Sequence, residues 1–176
     1  MITEKETKAL ICYQSKYGST EQYAKWIQNE IGCDIYNVKE KNQPNFQGYD
    51  IIIFGGYLRM GKIKIAPFII DNWNKIKDKK IILFTASGLP AEDPNLKEMY
   101  EHCFPDYIRQ KIKYFPLRGR LIFRKLTMFD KLLILVGSKF ERDERVKKAM
   151  QQDLDGVRRD NLMALFNYLK ENYNNK

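Results

Sequence analysis

The sequence predicts an α/β fold: a doubly wound, five-stranded parallel sheet in strand order 2-1-3-4-5, with helices on both faces and a basic, apolar insertion before the last helix. Three observations carry that reading. Short apolar runs alternate along the chain with helix-like stretches, as successive βαβ units require. Two runs, Ile51-Ile52-Ile53-Phe54 and Ile81-Ile82-Leu83-Phe84, are apolar at every position, which suits strands covered on both faces. The first run ends in a turn rich in hydroxyls that leads directly into a helical pattern. Right-handed crossovers and this element count favour order 2-1-3-4-5, with a ligand at the carboxyl ends of the strands near the switch point.

The elements follow in order. A first strand is read over residues 9–14 and a helix over 21–31, then strands over 34–38 and 51–54. A helix over 65–75 precedes a strand over 80–85, and a helix over 94–111 precedes a weaker strand over 113–117. The last helix is placed at 153–173, where Leu154, Val157, Leu162, Leu165, Phe166 and Leu169 recur at helical spacing and give it a face for the sheet. The insertion covers about 119–148. With no internal repeat or linker, one domain of 176 residues is expected, a length that suffices for a full core.

The turn after the first strand reads Ser15-Lys16-Tyr17-Gly18-Ser19-Thr20. The first turn of a helix has N–H donors without intrahelical partners and the positive end of the macrodipole, so it favours an anion. Ser15, Ser19 and Thr20 add hydroxyl donors, and Gly18 lets the backbone adopt conformations closed to other residues. Neither G-x-x-x-x-G-K-S/T nor G-x-G-x-x-G occurs, which argues against a nucleotidase loop and a dinucleotide fold. Two further strand ends carry candidate loops. One is Gly55-Gly56-Tyr57-Leu58-Arg59-Met60-Gly61, and the other begins Thr85-Ala86-Ser87-Gly88.

Composition bounds the function. A hydrophobic fraction of 44% fits a folded chain, and no apolar run approaches the roughly 18 residues of a membrane span. The polar N-terminus does not read as a secretory signal, so the cytoplasm is the default compartment. Cys12, Cys33 and Cys103 are too few and too scattered for disulfides or zinc. His102 is the only histidine and is read as structural or surface-exposed. The net charge of +9 is local. Residues 107–149 hold thirteen Lys or Arg against four Asp or Glu, while the remainder holds eighteen of each. That segment suits an anionic partner. No motif for nucleic acid accompanies it.

On the turn Ser15 to Thr20, the Tyr49-Asp50 opening of the third strand, the Gly55–Gly61 stretch with Arg59, and Leu117-Arg118-Gly119-Arg120-Leu121 followed by Phe129-Asp130-Lys131, the chain resembles the flavodoxin superfamily. More narrowly, it resembles the flavodoxin-domain family that includes menaquinone-dependent protoporphyrinogen oxidase, which carries such an insertion. The resemblance implies FMN as cofactor. Its phosphate would lie at Ser15, Lys16, Tyr17, Gly18, Ser19 and Thr20. Its ring would lie between Gly55, Gly56, Tyr57, Leu58, Arg59 and Gly61 on one side and Thr85, Ala86, Ser87 and Gly88 on the other. Tyr57 is then a candidate to stack on the ring, and Arg59 to stack or to offset negative charge. The implied activity is an FMN-dependent oxidoreductase passing electrons from an organic donor, protoporphyrinogen IX among them, to a quinone-type acceptor. Arg118 and Arg120 are further candidates to attract a donor's carboxylates. An electron carrier without a substrate of its own is the alternative, and a scaffold that has lost FMN is a third reading. No side-chain acid, base or metal ligand stands out.

Within the insertion, Leu126, Phe129, Leu132, Leu133 and Val136 mark one helical face, with Met128, Ile134 and Leu135 on others and basic residues around them. Two readings remain open. One is an interfacial element that meets anionic lipid and a quinone at the inner face of a membrane. The other is a cover or homodimer surface. The charged run Glu141-Arg142-Asp143-Glu144-Arg145 is expected to be a solvated helix face.

Overall fold

Backbone pairing joins the apolar runs into the parallel sheet expected of them. The computed structural model describes residues 7–40, 44–140 and 152–173. In chain order the elements of the first half are β1 (Ala9–Tyr13), α1 (Ser19–Ile31), β2 (Asp34–Asn37), β3 (Ile51–Arg59), β4 (Lys62–Ile63), α2 (Ala66–Asp71), α3 (Trp73–Ile76) and β5 (Lys80–Ser87). There follow α4 (Pro94–Cys103), α5 (Asp106–Arg109), β6 (Ile112–Arg118), β7 (Arg120–Leu121), α6 (Met128–Phe140), β8 (Leu154–Asp155) and α7 (Met163–Tyr173). The parallel strands lie in order β2-β1-β3-β5-β6, and β4 is a short antiparallel spur on β3. The five parallel strands alone therefore run 2-1-3-4-5, as the sequence predicts.

Alternation along the central strands divides the core in two. Ile51, Ile53, Ile82 and Phe84 face Tyr23, Ala24 and Ile27 of α1 and Leu165, Phe166 and Leu169 of α7. Ile52, Phe54, Ile81 and Leu83 face Ile69, Trp73 and Ile76 of α2 and α3 and Tyr100 and Ile108 of α4 and α5. Both faces of the sheet are thus covered, which is why these runs lack polar positions. Each fully buried isoleucine contributes roughly 1.5–3 kcal/mol of transfer free energy.

Three predicted helices are shorter than their apolar spacing suggests. The 65–75 helix divides at Asn72, whose Nδ2 donates to the Phe68 carbonyl at 2.9 Å beside the bond from its own backbone N–H at 3.2 Å. The 94–111 helix breaks at Phe104, which takes the extended conformation (φ −132°, ψ 135°) that a following proline favours. The 153–173 helix begins only at Met163, after a 3-10 turn. Leu154 and Asp155 instead form β8, antiparallel to β7. Asp155 is held by Arg120 at 2.8 Å and by the Val157 N–H at 3.2 Å. The third strand, conversely, is longer than expected. It runs to Arg59 and turns through Met60-Gly61 into β4, with Leu58 opposite Ile63. Both turn residues have positive φ (53° and 68°), the signature of a two-residue type I′ hairpin. The charged run at 141–145 lies outside the described residues.

Candidate functional site

The carboxyl ends of β1, β3, β5 and β6 converge on a cavity of about 410 Å³, roofed by the insertion. Its size falls within the roughly 300–1,000 Å³ usual for small-molecule sites. Ser15, Lys16, Tyr17, Ser19 and Thr20 line it from the first loop, Tyr57, Leu58 and Arg59 from β3, and Ala86, Ser87 and Gly88 from the end of β5. Eleven of the sixteen residues assigned to cofactor binding from sequence therefore share one cavity, although they come from three separated segments.

The other five do not line the cavity. Gly18 caps α1 in the left-handed conformation (φ 88°), and its N–H donates to Ser15 Oγ at 3.1 Å. Gly55 and Gly56 lie inside β3, not in a loop. A Cβ on Gly55 would sit 2.4 Å from the Phe84 ring, and one on Gly56 2.7 Å from Ile65, so their smallness serves packing across the sheet. Thr85 is buried, with its hydroxyl 2.8 Å from that of Tyr114. Gly61 belongs to the hairpin turn.

At the polar end, α1 presents its first turn to the cavity. No side chain caps it. Among the described residues no acceptor meets the N–H groups of Ser19, Thr20 or Glu21, and the ladder begins with Gln22 donating to Gly18. The hydroxyls are partly committed to the protein. Thr20 donates to the Gly56 carbonyl at 3.1 Å, and Ser19 Oγ accepts from the Arg120 N–H at 3.0 Å. Those bonds tie the loop to β3 and β7. They leave the N-terminal N–H groups and the Ser15 and Ser19 protons for an anion.

The sequence reading missed the centre of the site's electrostatics, Asp130. This residue sits in the first turn of α6, and its N–H donates to Thr127 Oγ1 at 3.3 Å. The residue is buried at 8% exposure, and its carboxylate accepts hydrogen bonds from Lys16, from the Tyr17 hydroxyl and from Arg59, whose Nε lies at 3.0 Å. The Thr127 N–H in turn donates to the Tyr17 hydroxyl at 3.2 Å. Burial by itself would raise the Asp130 pKa, but the hydrogen bonds from Lys16, Tyr17 and Arg59 outweigh it and hold the carboxyl well below the usual range. Arg59 also lies over the Phe129 ring, 5.4 Å from its centre. A usable signal existed in the sequence: Asp130 is the only acid between Arg118 and Phe140.

Around these polar groups the walls are apolar, formed by Leu58 and Met60 below and Leu126, Leu133 and Ile134 of the insertion above. The cysteines and the histidine lie outside the cavity lining. Burial pushes the Cys12 thiol far up and that of Cys33 to about 12. Cys103 accepts a bond from the Ile63 N–H at 3.2 Å, and His102 is exposed with Nδ1 on its own helix at Glu98. No group of acids, histidines and cysteines among the described residues is placed to hold a metal.

This fold and cavity define a class: a doubly wound α/β protein with an anion-binding helix terminus and an apolar slot beside it. Residues 10–148 match the flavodoxin domain, and the chain belongs to that family. An uncharacterized protein of Methanocaldococcus jannaschii is 34% identical over 106 residues, covering 59% of this chain and 67% of the relative. Among solved structures, a flavodoxin from the domain Archaea is similar at 16% identity and TM-score 0.45, covering 82% of this chain and 94% of that one. A flavoprotein in complex with FMN from Lactobacillus acidophilus has the same identity and score, covering 64% and 92%. A WrbA-like flavodoxin from Agrobacterium tumefaciens covers 84% and 99%, again at 16% and 0.45. The family's cofactor is FMN, and the donor set fits it: free N–H groups and hydroxyls for a phosphate at one end, and an apolar slot for a ring system at the other.

Proposed function

We propose that the chain is an FMN-dependent redox protein that takes electrons from an organic donor and passes them to a quinone-type acceptor. The observation that carries this is the single cavity that joins the uncapped first turn of α1 to an apolar slot under the insertion. Ser15, Ser19 and the N–H groups of Ser19 to Glu21 would hold the phosphate. Tyr57, Leu58, Ala86, Ser87 and Gly88 would border the ring, which supplies the redox chemistry when bound. Leu126, Leu133 and Ile134 line the same space and would offer a surface to an apolar acceptor. Lys16, Arg59 and Arg120 line the cavity, and with Asp130 and Asp155 paired to them they leave a net positive balance, which suits a carboxylated donor of the porphyrinogen type.

The test begins with FMN titration followed by flavin fluorescence. The loaded protein is then reduced anaerobically and mixed rapidly with a menaquinone analogue. Flavin absorbance returning in one two-electron step within seconds supports the quinone-linked reading, and a porphyrinogen assay follows. Slow, one-electron reaction replaces it with the electron-carrier reading, and failure to bind FMN refutes both.

A further inference from the structure

We propose that the outer face of α6 docks onto an anionic lipid surface. Five of the nine large apolar side chains exposed among the described residues lie on this helix: Met128 (80%), Phe129, Leu132, Leu135 and Val136. At about 100° per residue they fall within an arc of roughly 120°, one continuous stripe. The other exposed examples, such as Ile70, Tyr107 and Met163, are scattered singly and need no explanation.

Charge decides what covers the stripe. Arg124 and Lys125 precede the helix, and Lys131 and Lys139 lie on it. The only acid in this stretch, Asp130, is turned inward and engaged by Lys16, Tyr17 and Arg59. The outward face of 123–139 is therefore apolar, and the charged residues beside it and at its end are all cationic. That pattern favours anionic head groups above buried acyl chains and disfavours a second copy, which would bring like charges together. Size argues the same way. A 13-residue helix is roughly 20 Å long and presents a face of a few hundred Å², well under the roughly 800 Å² per partner of a stable dimer. It is also too short to cross a bilayer, so it would lie in the plane of the interface, and no described helix is long and apolar enough to span one.

The test is sedimentation of the full chain with vesicles of phosphatidylcholine alone and with roughly 30 mol% phosphatidylglycerol added. Partitioning at least tenfold stronger on the anionic vesicles, falling with salt, is expected. Leu132→Asp should abolish it, with the circular dichroism spectrum and thermal midpoint unchanged because Leu132 is 57% exposed. Arg124→Gln with Lys125→Gln should weaken it at least threefold and flatten the salt dependence. Leu132→Trp should show a blue-shifted emission on binding. No partitioning, equal partitioning on neutral vesicles, or an unshifted Leu132→Trp overturns the proposal. So does a concentration-dependent dimer in solution that Leu132→Asp dissolves, which would assign the stripe to a second copy.

Discussion

Asp130→Asn removes one negative charge from the cluster that fastens α6 to the first loop, while keeping the side chain's shape. Two limits bracket its effect. An exposed ion pair contributes about 0–1 kcal/mol, and losing one partner of a fully buried pair costs about 3–5 kcal/mol. The cluster lies between these limits. The Asp130 side chain is 10% exposed, but those of Lys16 and Arg59 keep 24% and 27% and would regain water once the carboxylate is gone. The expected destabilisation is about 1–3 kcal/mol at neutral pH, or roughly 3–10 °C in melting temperature for a domain of this size. The pH dependence separates charge from packing. The Asp130 carboxyl titrates well below its unfolded value of about 4. Between those two values the unfolded chain binds more protons, so stability rises with pH. The contribution is complete above the unfolded value and is lost as pH falls through the folded one. Urea unfolding of both proteins at neutral pH and near pH 3 should therefore show a gap that is full in the first case and visibly narrower in the second. An undiminished gap at low pH would refute the electrostatic account, and no gap at either pH would reduce the cluster to a surface contact.

Three other outcomes follow from the same geometry. Asp130→Asn should tighten FMN binding at least threefold by fluorescence titration, because the carboxylate competes with a phosphate for the loop's cations; weaker binding would mean that it organises the loop instead. Met60→Asn should stabilise the protein by about 1 kcal/mol in denaturant unfolding, since Asn tolerates the left-handed conformation that Met60 adopts at φ 53°. Gly119→Ala should cost about 1–3 kcal/mol, because a Cβ there would lie 2.8 Å from the backbone oxygen of Ser87, which cannot yield as a flexible side chain would. An unchanged unfolding midpoint would show that the close approach is absent.

What the sequence disclosed, and what it hid, follow from the range of the forces involved. The central strands were legible because covering a sheet on both faces demands apolar residues at every position, as at Ile51 to Phe54. The first loop was legible because its donors are local, placed by a strand, a glycine and a helix start within a dozen residues. Helix ends were less so. Leu154 and Val157 continue the spacing of Leu162 and Leu165, but antiparallel pairing with Arg120-Leu121 holds Leu154 and Asp155 as a strand. That pairing is tertiary and leaves no periodic trace. Gly55 and Gly56 were ambiguous for a related reason: the same absence of a side chain permits close approach by a ligand or by Phe84 and Ile65, and the packed sheet discloses the second demand.

Asp130 shows why a site of this kind needs a directional contact as well as an apolar one. The inner side of the insertion offers Leu126, Leu133 and Ile134 to the cavity, and apolar contacts alone tolerate rotation and sliding of a helix. A carboxylate that must meet Lys16, Tyr17 and Arg59 together removes that freedom, because rotating α6 by one residue, about 100°, would present Phe129 or Lys131 to those cations instead. The same bonds fix which apolar residues face inward and which form the outer stripe. Burying the one acid also removes negative charge from the outer face, so a single residue sets the polarity of both sides of the helix. Arg124, Lys125 and Lys139, part of the basic surplus that the sequence showed only as a number, are thereby left on an exposed surface with no acid of 123–139 beside them.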